Sequence, residues 1–106
     1  MSAIPFRGEI WWCDLSIGPR PVVVLSRNQT ILATRRALVA PCTRTVRGLE
    51  TEVVLEPADD PVLVTTAVNL DSVQNVAFDS FVRRLGVIAV DRMHEICRAL
   101  AVAVDC

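Results

Sequence analysis

Hydrophobic and polar residues follow one another in short segments over most of the chain, a pattern typical of β-strands. EIWWCDL (9–15) is rich in aromatic and β-favouring residues and predicts a first strand. RPVVVLS (20–26) predicts a second strand that is apolar on both faces, and Pro21 is tolerable because it stands at the strand's start. RALVAPCT (36–43) and TEVVLE (51–56) predict the third and fourth strands.

Turn and loop residues separate these segments. SIGP (16–19) predicts a tight connection, RNQTILATR (27–35) a loop with at most one helical turn, and PADDP (57–61) a turn. TAVNLDSVQNV (66–76) predicts one or two short strands, and VRRLGVI (82–88) predicts another. The chain therefore has five to seven short strands.

The hydrophobic period changes only at the end of the chain. AVDRMHEICRALAVAV (89–104) predicts an amphipathic helix, although Ala89 stands where a capping Ser or Asp would be expected. Five apolar residues of this segment fall at helical spacing: Met93, Ile96, Cys97, Leu100 and Val104. Short strands followed by one helix predict a mainly β fold, a small, strongly bent antiparallel sheet or barrel with a C-terminal α-helix packed against it.

Length and composition agree with a small globular protein. The 106 residues predict a single domain, 1–106, and 52% apolar with 22% charged residues excludes a disordered chain. The longest apolar runs are far shorter than the roughly 20 residues that a bilayer span needs. The first ten residues lack the basic and apolar segments of a signal peptide, so we expect a cytoplasmic protein.

The cysteines give no sign of a metal site. Cys13, Cys42, Cys97 and Cys106 have no CxxC spacing, and His94 is the only histidine. We therefore expect no metal, no cofactor and no disulfide, but small buried thiols, with Cys106 as an exposed exception.

Arginines are unevenly distributed along the chain. The net charge is −1, but residues 1–49 hold seven arginines against two acids, a net +5, whereas residues 50–106 hold four arginines against ten acids, a net −6. All eleven basic residues are arginine, whose planar guanidinium suits bidentate contact with phosphate. A GC-rich genome would also produce a chain without lysine, and both interpretations stay open.

One arginine stands in an unusual place. Arg20 directly precedes Pro21 and the apolar run 22–25, and a cation at the mouth of a buried strand is costly unless an anion meets it. That anion is either Asp14, across the first hairpin, or a bound phosphate. From these residues alone, the pair with Asp14 is favoured.

The ordered segments RGEIWWCDL, RPVVVLS, APCTRT, TEVVL, VNLDSVQNV and RRLGVI, followed by a C-terminal helix, resemble the MazF/PemK (Kid-like) toxins of type II toxin–antitoxin systems. The resemblance covers Arg7 to about Val104. It implies a small SH3-like antiparallel β-barrel, PemK/MazF-like and CcdB-like in fold, that acts as a homodimer. It also implies a sequence-specific endoribonuclease, or mRNA interferase, that cuts single-stranded RNA, inhibits translation and growth, and is neutralised by a cognate MazE-like antitoxin.

By this resemblance, the catalytic residues are Arg20 and Thr43. Cleavage of RNA without metal requires an activated 2′-hydroxyl, stabilisation of charge on the phosphate and a proton for the departing 5′-oxygen. Arg20 would meet the developing charge and Thr43 would donate to a phosphate oxygen, leaving 2′,3′-cyclic phosphate and 5′-hydroxyl ends. DNA lacks the 2′-hydroxyl and should be bound but not cut. Taken alone, Thr43 is better explained as a strand-terminal residue whose hydroxyl binds backbone.

Further polar residues are candidates for RNA contact. Those in the loops after the second and third strands are Arg27, Asn28, Arg44 and Arg47, for which a solvated basic face is an equal alternative. Asn69 and Asp71 lie where relatives place polar residues, but a turn explains Asn–x–Asp equally well.

Two tryptophans, two arginines and one loop have other expected roles. Trp11 and Trp12 are adjacent in a strand, so one faces the core and the other stacks on a base or, as we favour, packs at a dimer interface. Arg83 and Arg84 are expected to form surface ion pairs. SIGP (16–19) is shorter than the corresponding loop of many relatives, so their cleavage motif cannot be transferred to this chain.

Two other functions compete with the nuclease. One is a CcdB-type toxin that poisons gyrase, and the other is a non-catalytic SH3-like module that binds RNA or peptide. Induced expression separates the three, because loss of mRNA, double-strand DNA breaks and absence of toxicity are their respective results.

Overall fold

The computed structural model describes residues 4–105. In this part the chain forms β1 (Glu9–Leu15), β2 (Gly18–Val24), α1 (Asn28–Thr34), β3 (Arg36–Thr43), β4 (Glu52–Leu55), β5 (Thr66–Asn69), β6 (Gln74–Ala77), β7 (Phe81–Val87) and α2 (Val90–Val104). Two 3₁₀ turns, Leu70–Ser72 and Phe78–Ser80, flank β6. Neither α-helix is long and apolar enough to cross a membrane.

The strands form one antiparallel sheet in the order β4-β5-β3-β2-β1-β7. The first half of β3 pairs with β6 and its last two residues pair with β5, so β6 and β5 follow one another along the edge of β3 that faces away from β2. The predicted mainly β fold with a C-terminal helix is confirmed. The predicted barrel is not confirmed, because no pairing among the described strands joins β4 to β7 and the sheet is not closed.

Both faces of β2 are buried, as its apolar run predicted. Val22 and Val24 pack in one cluster with Ile31 of α1, and Val23 packs in the other cluster with Ile96 of α2. The alternation follows from the two-residue period of a strand. α1 and α2 therefore cover opposite faces of the sheet.

The segment between β2 and β3 is more helical than predicted. α1 has seven residues, and the side chain of its N-cap residue, Arg27, makes no capping hydrogen bond to the first turn. Ile31 is fully buried and fixes the helix to the sheet, because a helix this short depends on tertiary packing rather than on propensity. The helix ends at Arg35, which has left-handed backbone angles and donates its N–H to the carbonyl of Ile31 at 2.8 Å.

α2 agrees with the predicted helix and lacks a side-chain cap at Ala89. Met93, Ile96 and Ala99 are buried, but Val104 is exposed, contrary to the expectation from its spacing. With 3.6 residues per turn, Val104 lies about 80° around the axis from Ile96, so it leaves the inner face.

The thiols of Cys13 and Cys42 are buried, as predicted. Burial disfavours the thiolate and raises the pKa of Cys13 to about 11 and that of Cys42 to about 12. Cys97 is half-buried and free, like the other two, whereas Cys106 lies outside the described residues.

Candidate active site

A cavity of about 720 Å³ opens where the start of β2 and the end of β3 meet the loop between β4 and β5. Arg20, Thr43, Arg44 and Arg83 line it together with Trp12. The loop residues 61–64 supply an apolar wall. The two residues that the family resemblance marks as catalytic therefore face one common space.

The strand register explains how they meet. β2 and β3 are antiparallel neighbours, and Val22 pairs with Pro41. Continued by two residues, this register places Arg20 opposite Thr43, with Pro21 between Arg20 and the part of β2 that pairs with β3. Pro21 has no N–H to donate, so the strands can separate at the point where the cavity opens.

Arg20 is half-buried, and its Nε is buried with no hydrogen-bond partner among residues 4–105. The ion pairs of these residues join Arg84 to Glu9 at 3.1 Å and Arg92 to both Asp60 and Glu95. The alternative pair of Arg20 with Asp14 is thus not observed. A buried donor without an acceptor is costly in the free protein and suits an anionic ligand.

Thr43 is half-buried at the end of β3. Its Oγ1 accepts the backbone N–H of Thr45 at 3.2 Å, which is the structural role considered from the sequence. The hydroxyl hydrogen is not used in that bond, so it can donate to an oxygen of a ligand in the cavity. The structural and chemical roles are compatible.

The remaining candidates after β2 and β3 divide between the cavity and the rest of the surface. Arg44 is exposed and lines the cavity, whereas Arg27, Asn28 and Arg47 do not line it. The side-chain oxygen of Asn28 accepts the backbone N–H of Arg7 at 2.8 Å, a structural contact.

Asn69 and Asp71 also lie outside the cavity. The side-chain oxygen of Asn69 accepts the N–H of Asp71 at 2.9 Å, and its amide donates to Ser72 at 3.1 Å. The carboxylate of Asp71 accepts a hydrogen bond from Thr51. These contacts are those of the turn that the sequence offered as the alternative.

The cavity also contains Arg83, which the sequence placed in a surface ion pair, and Trp12, one of two tryptophans whose orientation the sequence left open. Trp11 faces the core and donates its indole N–H to Glu9 at 3.0 Å, which leaves Trp12 as the outward tryptophan. Trp12 is paired with Arg83 of β7, and directly opposed side chains share a face. The expected surface pair exists for Arg84 only, since Arg83 has no ion pair with the described residues.

The loop wall is fixed to the rest of the fold. The buried carboxylate of Asp60 accepts two hydrogen bonds from Arg92 of α2, from Nε at 3.1 Å and from a terminal nitrogen at 3.0 Å. These bonds raise the pKa of Arg92. Gly86 of β7 packs so closely on Pro61 that a Cβ at this position would lie 2.5 Å from the proline's own Cβ.

Metal-ligating side chains do not gather at this site or elsewhere in residues 4–105. No group of three or more His, Cys, Asp or Glu residues in that part of the chain could hold a metal ion. The charged side chains of the cavity are all arginines.

The sequence pattern of PemK-like, MazF-like toxins of type II toxin–antitoxin systems matches residues 6–104. The chain belongs to this family. A relative from Mycobacterium tuberculosis named as a probable endoribonuclease MazF5 is 61% identical over 107 residues, which cover all of this chain and 98% of the relative. A second M. tuberculosis protein, named probable endoribonuclease MazF2, is 33% identical over 94% of this chain and 98% of its own length.

The fold agrees with the family assignment. A mycobacterial endoribonuclease solved in complex with its cognate antitoxin superposes with a TM-score of 0.87 at 32% identity, over 95% of each chain. MazF from Deinococcus radiodurans superposes with a TM-score of 0.85 at 20% identity, over 99% of this chain and 100% of its own. At that identity, the second likeness shows the shared fold alone.

Proposed function

We propose that this toxin-family protein is a sequence-specific endoribonuclease that cuts single-stranded RNA. The observation that carries the proposal is the shared cavity of Arg20 and Thr43, in which the buried Nε of Arg20 lacks an acceptor among the described residues. The names of the relatives as endoribonucleases support the same activity. We propose that residues 1–106 form one toxin domain with the SH3-like barrel architecture that the family resemblance implies.

In the proposed reaction, the nucleophile and the leaving group both belong to the RNA. The 2′-hydroxyl oxygen gives up its proton and attacks the adjacent phosphorus, and the bond from phosphorus to the 5′-oxygen breaks. The departing 5′-oxygen takes up one proton, exchanged through solvent, so the products carry a 2′,3′-cyclic phosphate and a 5′-hydroxyl and no net proton is consumed. Because the RNA supplies its own nucleophile, no metal-activated water is required. The protein's task is to stabilise charge on the phosphate and to fix the geometry of attack.

Arg20 and Thr43 have complementary parts in this task. The guanidinium presents two parallel N–H donors to the non-bridging oxygens, which carry more charge in the transition state than in the ground state. The Thr43 hydroxyl adds a donor whose oxygen is already fixed by the N–H of Thr45. Arg44, at the edge of the same cavity, would bind a neighbouring phosphate.

The other candidates would act farther along the RNA. Arg27, Asn28, Arg47, Asn69 and Asp71 lie outside the cavity, so we propose them as contacts to flanking nucleotides rather than to the cleaved linkage. Their effect on binding should depend strongly on salt where an arginine contacts a phosphate.

The proposed regulation uses the arginines that would bind RNA. One structural relative was solved as an endoribonuclease with its cognate antitoxin. We propose that a MazE-like antitoxin binds this chain through an acidic segment whose carboxylates occupy the arginine sites. A cytoplasmic homodimer is the proposed active form.

Replacing Thr43 tests the proposed chemistry. Thr43→Ala should lower the rate of RNA cleavage in EDTA by a factor on the order of 10² to 10³, the cost of losing one transition-state donor, while RNA affinity changes little. The measurement is single-turnover cleavage of a long single-stranded RNA with mapping of the cut sites by primer extension.

Thr30→Ala, at an exposed position of α1, is the matched control and should cut at the wild-type rate. Undiminished cleavage by Thr43→Ala would remove Thr43 from the mechanism. RNA that the wild type binds without cutting would favour the binding-module alternative, and DNA breaks on expression would favour gyrase poisoning.

A further inference from the structure

Three large hydrophobic side chains that line the cavity are exposed and have no role in phosphate chemistry: Trp12, Leu63 and Val64. Trp12 is 37% exposed and Leu63 is 98% exposed, although both are large and apolar. We propose that they form a nucleobase subsite, in which Trp12 stacks on the base next to the cleaved phosphate and residues 63–64 cover that base. This inference rests on the proposed function and assigns its substrate contacts.

The surroundings of Trp12 suit stacking. It is paired with Pro21 on one side and with Arg83 on the other, so neighbouring strands hold its flanks. The indole N–H has no partner among residues 4–105, unlike that of Trp11. Aromatic platforms beside arginines are the usual means of binding single-stranded nucleic acid.

The loop that exposes Leu63 is fixed by contacts of the residues that precede it. Asp60, three residues earlier, has a side chain only 2% exposed and is held by Arg92 through two hydrogen bonds. Pro61 is packed against Gly86 of β7. Beyond Leu63, the Thr66 hydroxyl donates to the carbonyl of Val64 at 2.9 Å. The segment is therefore fixed on both sides of Leu63 before any ligand binds, which lowers the entropy cost of binding.

Charge favours a nucleotide here over a second copy of the chain. In a two-fold interface, the same patch meets itself, so the three cavity arginines, Arg20, Arg44 and Arg83, would be brought near their own copies. Like charges brought together oppose such contact, whereas a phosphodiester neutralises them. The base attached to that phosphodiester then lies within reach of Trp12.

The test pairs protein variants with RNA that lacks single bases. Wild type, Trp12→Ala, Trp12→Phe and Leu63→Ala are assayed on a synthetic RNA containing one mapped cut site, with an abasic nucleotide placed in turn at each flanking position. On intact RNA, Trp12→Ala should raise KM about tenfold, and Trp12→Phe should recover most of that loss. At one abasic position, the cost of Trp12→Ala should disappear, because the base that it contacts is already gone.

Leu32→Ala is the control for Leu63→Ala, because Leu32 is also an exposed leucine, on α1, and does not line the cavity. An unchanged KM for Trp12→Ala on intact RNA overturns the subsite. A cost that is equal at every abasic position and is accompanied by loss of the dimer in sedimentation assigns Trp12 to an interface instead. If the wild type binds RNA but cuts none, the proposed function fails; the abasic nucleotide is then moved along the bound RNA, and the loss of the Trp12→Ala effect on Kd at one position still decides the subsite.

Discussion

Arg20→Ala is expected to abolish RNA cleavage while the protein stays folded. Arg20 is the cavity residue with a buried donor lacking an acceptor among the described residues, so its replacement removes transition-state stabilisation without breaking a described ion pair or hydrogen bond. We expect a loss on the order of 10³ or more in single-turnover rate. Thermal unfolding should show no loss of stability, because an unsatisfied buried group is removed.

Arg20→Lys should be nearly as inactive as Arg20→Ala. One ammonium charge cannot reproduce the two parallel donors that match a phosphate. Arg98→Ala, at an exposed arginine of α2 that does not line the cavity, is the matched control and should keep full activity. Near-wild-type cleavage by Arg20→Lys would show that charge alone suffices, and near-wild-type cleavage by Arg20→Ala would refute the site.

Arg92→Ala is expected to have the largest effect on stability. Asp60 is buried, and Arg92 supplies two of the hydrogen bonds to its carboxylate; the third comes from the N–H of Glu56 at 2.8 Å. Removing the arginine leaves a buried carboxylate without its counter-charge, which should lower the free energy of unfolding by about 3 kcal/mol. Urea unfolding, followed by fluorescence, measures this change.

Arg84→Ala is the comparison, because Arg84 also pairs with a largely buried carboxylate, that of Glu9, but has a side chain 58% exposed. Solvent screens this pair, so its loss should cost less than about 1 kcal/mol. Adding Asp60→Asn to Arg92→Ala should recover part of the stability, since the buried charge is then absent. Equal costs for the two arginine variants would show that the Asp60 pair does not fix the loop.

Local signals predicted much of the fold. β1 and β3 begin and end where their patterns predicted, because alternation and turn residues define both ends. The length of α1 was underestimated because the helix is stabilised by burial of Ile31. Ile31 is buried against residues of several strands, which the local sequence does not show. Whether the sheet closes into a barrel was not predictable either, because closure depends on how near β4 and β7 lie to each other in the folded chain.

The candidate site was predictable only in part. The family resemblance implied Arg20 and Thr43, but whether the two side chains meet depends on the register between β2 and β3. That register cannot be read from the sequence, because α1 separates the two strands in the chain. Arg83 was missed because β7 lies next to β1 only in the folded sheet. The outward orientation of Trp12 likewise needed the strand pairing, since alternation alone left two choices.

In the proposed mechanism, one cavity promotes attack by the RNA's own 2′-hydroxyl. This mechanism is tested most directly with a synthetic RNA that carries a single 2′-deoxynucleotide immediately 5′ of the mapped cleavage position, incubated in EDTA. We predict that this linkage stays intact, that affinity is retained, and that the all-RNA control yields 2′,3′-cyclic phosphate and 5′-hydroxyl ends. Cleavage at the deoxy linkage, or 5′-phosphate ends on the control, would contradict the mechanism.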